Sequence, residues 1–298
     1  METIRTVAWM KEKARAARQE QRIIGLVPTM GALHAGHMAL VERAYHECSP
    51  VYASIFLNPK QFAANEDLSR YPRPLEADIT KLTSAKVGGL FLPDAAEIYP
   101  PGFSTYVQVE GVSERLEGKS RAGHFRGVST VVMKLFEIVQ PHYAYFGRKD
   151  AQQGTMIRRM VSDLNFPLEI IVAPTVREVD GLALSSRNAY LDPHARRIAP
   201  IISRTLDRIH HLYRNGERDS ARTLAQGRAV LADEPAITVE YLEAVDPNQL
   251  APVETLADDT IVATAVRLGK TRLIDNIVLG LGLEGDEILA PPASVPLA

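Results

Sequence analysis

The sequence predicts an α/β chain, with an open parallel sheet in the N-terminal part and a smaller α+β part after it. Three observations predict this. Up to about residue 176, short apolar runs rich in branched residues alternate with stretches of helical period. Two of the linking stretches start with a glycine-bearing turn at the very end of an apolar run, where open α/β sheets bind ligands. After about residue 190 the pattern changes to two long helical stretches followed by three strand-like runs.

The elements follow in order. The first residues, METIRTVAWMKEKARAARQEQR, read as an amphipathic helix of mixed charge with no apolar signal core. Residues 23–27 (IIGLV) and 51–57 (VYASIFL) read as buried parallel strands. Between them Met38, Val41, Ala44 and Tyr45 recur at helical spacing, which completes a strand-helix-strand unit. A charged helical stretch near 75–86 leads to a strand at 87–92, and TYVQV (105–109) reads as another strand. VSTVVMKLFEIVQ is an apolar helix, YAYFG (143–147) a strand, 151–162 a helix and EIIVAPTV (169–176) a strand. DPHARRIAPIISRTLDRIHHLYRNG reads as one long helix closed by Gly216, and DSARTLAQGRAVLADEP as a second. ITVEYLEAVDP, TIVATAVRLG and TRLIDNIVLG are strands of a smaller sheet, and the Pro- and Ala-rich end reads as a loose tail. The expected division is 1–177, 178–285 and a tail over 286–298.

Bulk properties narrow the function. The formal net charge of −2 gives no electrostatic reason to expect nucleic acid as a partner. No apolar run approaches the roughly 18 residues of a membrane span. The single cysteine, Cys48, excludes an intrachain disulfide and fits a reducing compartment. A cytoplasmic enzyme is the expectation.

The chemistry-bearing stretches sit at strand ends. LVPTMGALHAGH carries Gly31 and Gly36, which let the backbone bend and a ligand approach closely. His34 and His37 are three apart, so on a first helical turn they face one way, beside free amides and a positive dipole end. That arrangement suits an α-phosphate whose charge grows during nucleotidyl transfer. The same spacing suits a metal ion, although no third ligand stands within the next several residues. DGLALSSRNAYL places two hydroxyls beside Arg187, either a clamp for the β- and γ-phosphates or an ordinary loop with a solvated arginine. YFGRKDAQQ offers Lys149 for phosphate charge, Asp150 for ribose hydroxyls, or an ordinary helix cap at Asp150. In SIFLNPKQF, Asn58 and Gln61 follow a buried strand and can read a small polar substrate. LEGKSRAGHFRGVSTVVMKLF is a basic loop feeding an apolar helix, either a lid or a plain connection.

Taken in order, VPTMGALHAGH, SIFLNPKQF, RAGHFRGVSTVVMKLF, FGRKDAQQ, PTVREVDGLALSSRN and VEYLEAVDP resemble the pantothenate synthetase (pantoate–β-alanine ligase) family, from about residue 3 to about residue 282. The resemblance implies a Rossmann-like N-terminal domain, a smaller C-terminal domain that lids the site, and a homodimer. It implies the condensation of (R)-pantoate with β-alanine, using ATP and Mg²⁺, through a pantoyl adenylate. It assigns catalysis to His37, His34 and Lys149. ATP would be held by Pro28, Thr29, Met30, Gly31, Ala32, Leu33, His34, Ala35, Gly36 and His37, together with Gly147, Arg148, Lys149 and Asp150. Val176 would meet adenine through its backbone, and Leu184, Ser185, Ser186 and Arg187 would clamp phosphates. Gln61 and Gln153 would hold pantoate, with Asn58, Arg121 and His124 close by, and Asp78 is the candidate Mg²⁺ ligand. Other readings stand beside it: a nucleotidyl transferase with a phosphorylated acceptor, a fragment of a class I tRNA synthetase, a nucleotide-binding protein without turnover, and a histidine metal protein. The neutral Asn58, Gln61 and Gln153 favour a small hydroxy acid over a phosphorylated acceptor.

Overall fold

Branched and aromatic side chains on short runs that are buried on both faces make parallel strands. The computed structural model describes residues 1–63 and 66–289. In chain order the first unit contains β1 (Glu2–Ile4), α1 (Val7–Gln19), β2 (Gly25–Thr29), α2 (Ala35–Glu47), β3 (Val51–Ile55), α3 (Leu75–Ser84) and β4 (Gly89–Phe91). It continues with α4 (Ala95–Ile98), α5 (Leu116–Ser120), α6 (His124–Val139), β5 (Tyr143–Gly147), α7 (Ala151–Asp163) and β6 (Glu169–Ala173). The six strands form one sheet in the order β1-β4-β3-β2-β5-β6, parallel throughout. Val27, Val41, Ala44, Ala53, Leu90 and Tyr145 pack in a core between sheet and helices.

The second unit contains β7 (Val176–Arg177), α8 (Pro193–Ile198), α9 (Ile201–Arg214), α10 (Ser220–Ala232), β8 (Ile237–Val245), β9 (Ile261–Leu268), β10 (Thr271–Val278) and β11 (Glu287–Ile288). Here β8, β9 and β10 form an antiparallel sheet, and β11 pairs with β7. Leu206, Ile209, Leu242, Val262 and Val266 are at the centre of this unit's own core.

The mixed α/β class stands as read, and several elements differ. Residues 2–4, read as helix, form an edge strand against β4. TYVQV is not a strand. Its backbone is satisfied from α6 instead: the Val107 N–H donates to Thr130 Oγ1 (3.0 Å) and the Ser129 hydroxyl donates to Val107 O (2.6 Å). The long helix after residue 192 is two helices, separated by Ala199 and Pro200. EIIVAPTV is split at Pro174, which has no N–H to continue the ladder. The first unit accordingly ends at Ala173, and it also includes Asn248–Ala251. The first residues of the expected tail are held in place. Asp286 accepts from the Arg177 guanidinium (2.6 Å), and Glu287 and Ile288 pair with β7. Residues 290–298 lie outside the described residues.

Candidate active site

The strand order reverses at β2. From there the chain runs out through β3 and β4, and then returns to place β5 on the other side. Ligands bind in the crevice beyond the carboxyl ends of strands at such a reversal. Pairing between β2 and β5 covers only Gly25 and Leu26. Beyond them Pro28 offers no N–H, so the strands part where the crevice opens.

The turn after β2 is fixed from several sides. Thr29 Oγ1 donates to Ser54 O (2.8 Å) and accepts from the Gly31 N–H (3.1 Å). Gly31 (φ +82) and Ala32 (φ +52) are both left-handed, a conformation that glycine adopts freely and alanine only under constraint. The constraint at Ala32 is Asp78 of α3. Its two carboxylate oxygens accept from the N–H groups of Ala32 and Leu33, each at 2.8 Å. One turn along α3, Lys81 donates to Leu33 O.

This turn delivers His34 as the N-cap of α2 and His37 as its third residue. Intrahelical bonding begins with the His37 and Met38 N–H groups on His34 O, so the Ala35 and Gly36 amides precede it. The imidazole centroids are 4.1 Å apart. The His34 N–H donates to His37 Nδ1 (3.3 Å), which leaves Nε2 as the proton-bearing nitrogen of the neutral ring. His34 Nδ1 is buried without a hydrogen-bond partner among the described residues. Burial, then the neighbouring His37, Lys149 and Lys81, pull the His34 pKa down to about 3. His37 falls to about 4, chiefly through burial, with Asp150 working the other way. Both rings are therefore neutral near pH 7.

Across the crevice, β5 ends at Gly147, beside which there is open space. Lys149 and Asp150 follow, with Nζ and Oδ1 4.0 Å apart. Asp150 occupies the N-cap position of α7, but its side chain makes no capping bond. Its carboxylate acts on His37 instead. The two glutamines of α7 part company. Gln152 is buried and bonded to the backbone of Val112, Arg115 and Glu117, while Gln153 is half-buried.

A polar cluster follows β3. Asn58 is 1% exposed; its amide donates to Gln61 Oε1 (2.9 Å) and Gly127 O (3.1 Å), and it accepts from the Tyr99 hydroxyl (2.8 Å). The Gln61 amide reaches Met30 Sδ (3.1 Å), which links this cluster to the β2 turn. Arg121 and His124 lie behind Gln61. His124 Nδ1 is 2.9 Å from Gln61 O, its Nε2 is 3.0 Å from Arg121 Nη1, and Arg121 forms a two-pronged ion pair with Glu66 (2.6 and 3.0 Å). Burial first, then Arg121, lowers the His124 pKa to about 4. With Nδ1–H donating to Gln61 O, Nε2 is the acceptor toward Arg121. In this structure both side chains brace Gln61. Glu66, Tyr99 and Lys81 carry no local sequence signal, because their partners are distant in the chain.

The second unit holds the other expected residues. Val176 O accepts from the Leu184 N–H (2.9 Å), and the Ser185 hydroxyl accepts from the Arg187 N–H (3.3 Å) as the cap of a short 3-10 turn over Ser186–Tyr190. Asn188 anchors that turn to Glu178 and Ala183 O. Arg177 lies within the PTVREVDGLALSSRN stretch, where the sequence alone gives it no role. It is 1% exposed and forms ion pairs with Asp275 (2.7 Å) and Asp286 (2.6 Å).

The donor set does not match the expected Mg²⁺ ligand. Asp78 is 1% exposed, and both its oxygens already hold backbone amides. Among the described residues no group of three His, Cys, Asp or Glu side chains is placed to hold a metal ion. Nor is any described helix long and apolar enough to cross a membrane.

Known proteins resemble this chain in sequence and fold. The pantoate-β-alanine ligase family profile matches residues 2–278. A pantothenate synthetase of Koribacter versatilis (strain Ellin345) is 50% identical over 279 residues, covering 94% of this chain and 96% of that protein. The crystal structure of pantothenate synthetase from Thermus thermophilus superposes with a TM-score of 0.90 at 46% identity, over 94% of this chain and 99% of that one. The pantoate-β-alanine ligase of Francisella tularensis, complexed with β-γ ATP and β-alanine, superposes with a TM-score of 0.76 at 33% identity, over 94% and 98%. With the profile spanning nearly every residue and the strand-end motifs in place, the chain belongs to the pantoate–β-alanine ligase family of pantothenate biosynthesis.

Proposed function

We propose that the chain joins (R)-pantoate to β-alanine, using ATP, and releases AMP and diphosphate through a pantoyl adenylate. The observation that carries this reading is the placement of His34, His37, Lys149 and Asp150 at the ends of the two strands that flank the sheet reversal. A carboxylate is a poor acyl donor, and an adenylate supplies the leaving group. In the first step the pantoate carboxylate attacks the α-phosphorus and diphosphate leaves. In the second the β-alanine amine attacks the acyl carbon, AMP leaves and the amine loses a proton.

The residues position these groups and stabilise charge. Neutral His34 and His37 donate ring N–H groups to phosphate oxygens, and the first-turn amides of α2 add to them. Lys149 supplies positive charge. Gln61 and Gln153 hold pantoate by neutral hydrogen bonds. In the second unit Ser185, Ser186 and Arg187 hold the remaining phosphates, and Val176 meets adenine through its backbone. Mg²⁺ arrives with ATP, carried by phosphate oxygens, as part of the substrate. The reading includes a cytoplasmic homodimer, which sedimentation velocity checks.

The test is ATP–pyrophosphate exchange with β-alanine left out. Exchange that requires (R)-pantoate establishes both the adenylate and the acid. Absence of exchange from a folded chain that binds ATP sinks the choice of acceptor.

A further inference from the structure

We propose that Asp78 is a positioning residue for the His34–His37 pair, and that it is not a ligand for Mg²⁺. Three geometric facts carry this. First, each carboxylate oxygen is already bonded to an amide of the β2–α2 turn, from Ala32 and Leu33 at 2.8 Å. Second, the side chain is 1% exposed, so a cation with its own water shell has no path to it. Third, the turn is pressed onto the carboxylate: a Cβ built at Gly31 would stand 3.3 Å from Asp78 Oδ2 and 3.1 Å from Ile55 Cγ2.

The clamp acts on a strained place. Ala32 is held at φ +52, which is costly for a residue with a Cβ when nothing holds it there. Two charge-assisted bonds to one carboxylate offset that cost. Lys81, one turn further along α3, takes the next carbonyl, Leu33 O. One helix thus holds an amide pair and a carbonyl of the same turn. The residue after the clamped segment is His34, whose N–H fixes His37 Nδ1. Asp78 sets the backbone, the backbone sets His34, and His34 sets the tautomer of His37.

This inference rests on the reading that the pair serves the nucleotide, and its main readout needs neither substrate nor metal. The imidazoles of His34 and His37 are titrated by NMR in the full chain with EDTA and no nucleotide, for wild type, Asp78→Asn and Lys81→Met. Asparagine keeps one acceptor but presents an NH₂ to the second amide, so half the clamp is lost. The groups facing the pair are Lys149, Lys81 and Asp150. Loss of an anion by itself would lower an imidazole pKa further. A loosened turn admits water and raises it toward 6.5. The expected result is an upward shift of both titrations in Asp78→Asn. Pyrophosphate exchange should fall roughly 10- to 100-fold at saturating ATP, with the half-saturating Mg²⁺ concentration unchanged.

Unmoved or lowered imidazole titrations overturn the proposal, as does a raised Mg²⁺ requirement without an imidazole shift. If Asp78→Asn does not fold, Lys81→Met decides. That variant keeps the carboxylate and releases only Leu33 O. Removing the Lys81 cation raises both imidazoles through charge alone, so its deciding readout is the His34 N–H to His37 Nδ1 bond, seen in the Nδ1 chemical shift. With the Asp78 clamp intact the bond should be retained; its loss would show that Lys81 and not Asp78 sets the turn, and would overturn the proposal. Failure of exchange with pantoate while the imidazoles shift as expected would count against the assigned acid and not against the clamp.

Discussion

His34 and His37 are bases kept uncharged by their surroundings, and this has a measurable cost in acid. Their pKa values of about 3 and about 4, with His124 also at about 4, lie below the ordinary 6.5. The unfolded chain therefore binds protons between those values that the folded chain refuses. Stability rises with pH through that window and is complete above 6.5, and it falls as the pH drops toward 4. The urea midpoint should decline over that range, and His34→Asn with His37→Asn should flatten the decline; equal slopes would refute this. His37→Ala should lower pyrophosphate exchange at least about 100-fold while the circular dichroism spectrum stays unchanged. Turnover at the wild-type rate would remove His37 from the mechanism. These two histidines were legible because strand end, glycine and helix start are adjacent in sequence. Asp78 was legible as an important acid but not in its task, since the amides it holds are 46 and 45 positions away.

At the scale of elements, α6 organises the polar cluster through its close approach to the 3-10 turn Pro59–Gln61. A Cβ at Gly127 would stand 2.2 Å from Lys60 O, a backbone atom that has little room to move. Gly127→Ala should cost about 1–3 kcal/mol by denaturant titration and raise the apparent KM for pantoate through Gln61. A fully stable variant with normal KM would show that the approach is slack. Glu66→Gln removes one charge from the brace on Arg121, so KM for pantoate should rise with kcat little changed; the reverse split would place Arg121 at the reacting atoms. Period and turn chemistry located most helices and parallel strands. They missed the irregular 105–109 run, whose hydrogen bonds come from Ser129 and Thr130 of α6 rather than from a neighbouring strand. Alternation is the same whether a ladder or a pair of hydroxyls satisfies the backbone. The break between α8 and α9 is marked in the sequence by Pro200, but the apolar period runs through it on both sides and masks the break.

In the whole molecule, two units with separate cores carry the chain, and the second is pinned by a buried charge cluster. Arg177 bonds Asp275, Asp286 and the Gly181 carbonyl, which ties β7 to β10 and to the approach to β11. Arg177→Met leaves two buried carboxylates without their cation and should cost about 3–5 kcal/mol, read by urea unfolding of the full chain. A cost below about 1 kcal/mol would mean that the carboxylates find other partners. The task of this arginine was not legible in its motif, since its partners are 98 and 109 positions on. The sheet order carries a further consequence, for the chain as it leaves the ribosome. β2 is made early, yet the strand on its other side, β5, begins only at Tyr143. Roughly a hundred residues must be translated before that edge is covered, which at about 5–20 residues per second takes roughly 5–20 seconds. For that interval the strand that will carry the two-histidine turn is an open edge in a half-built sheet, and a nascent-chain chaperone has reason to hold it.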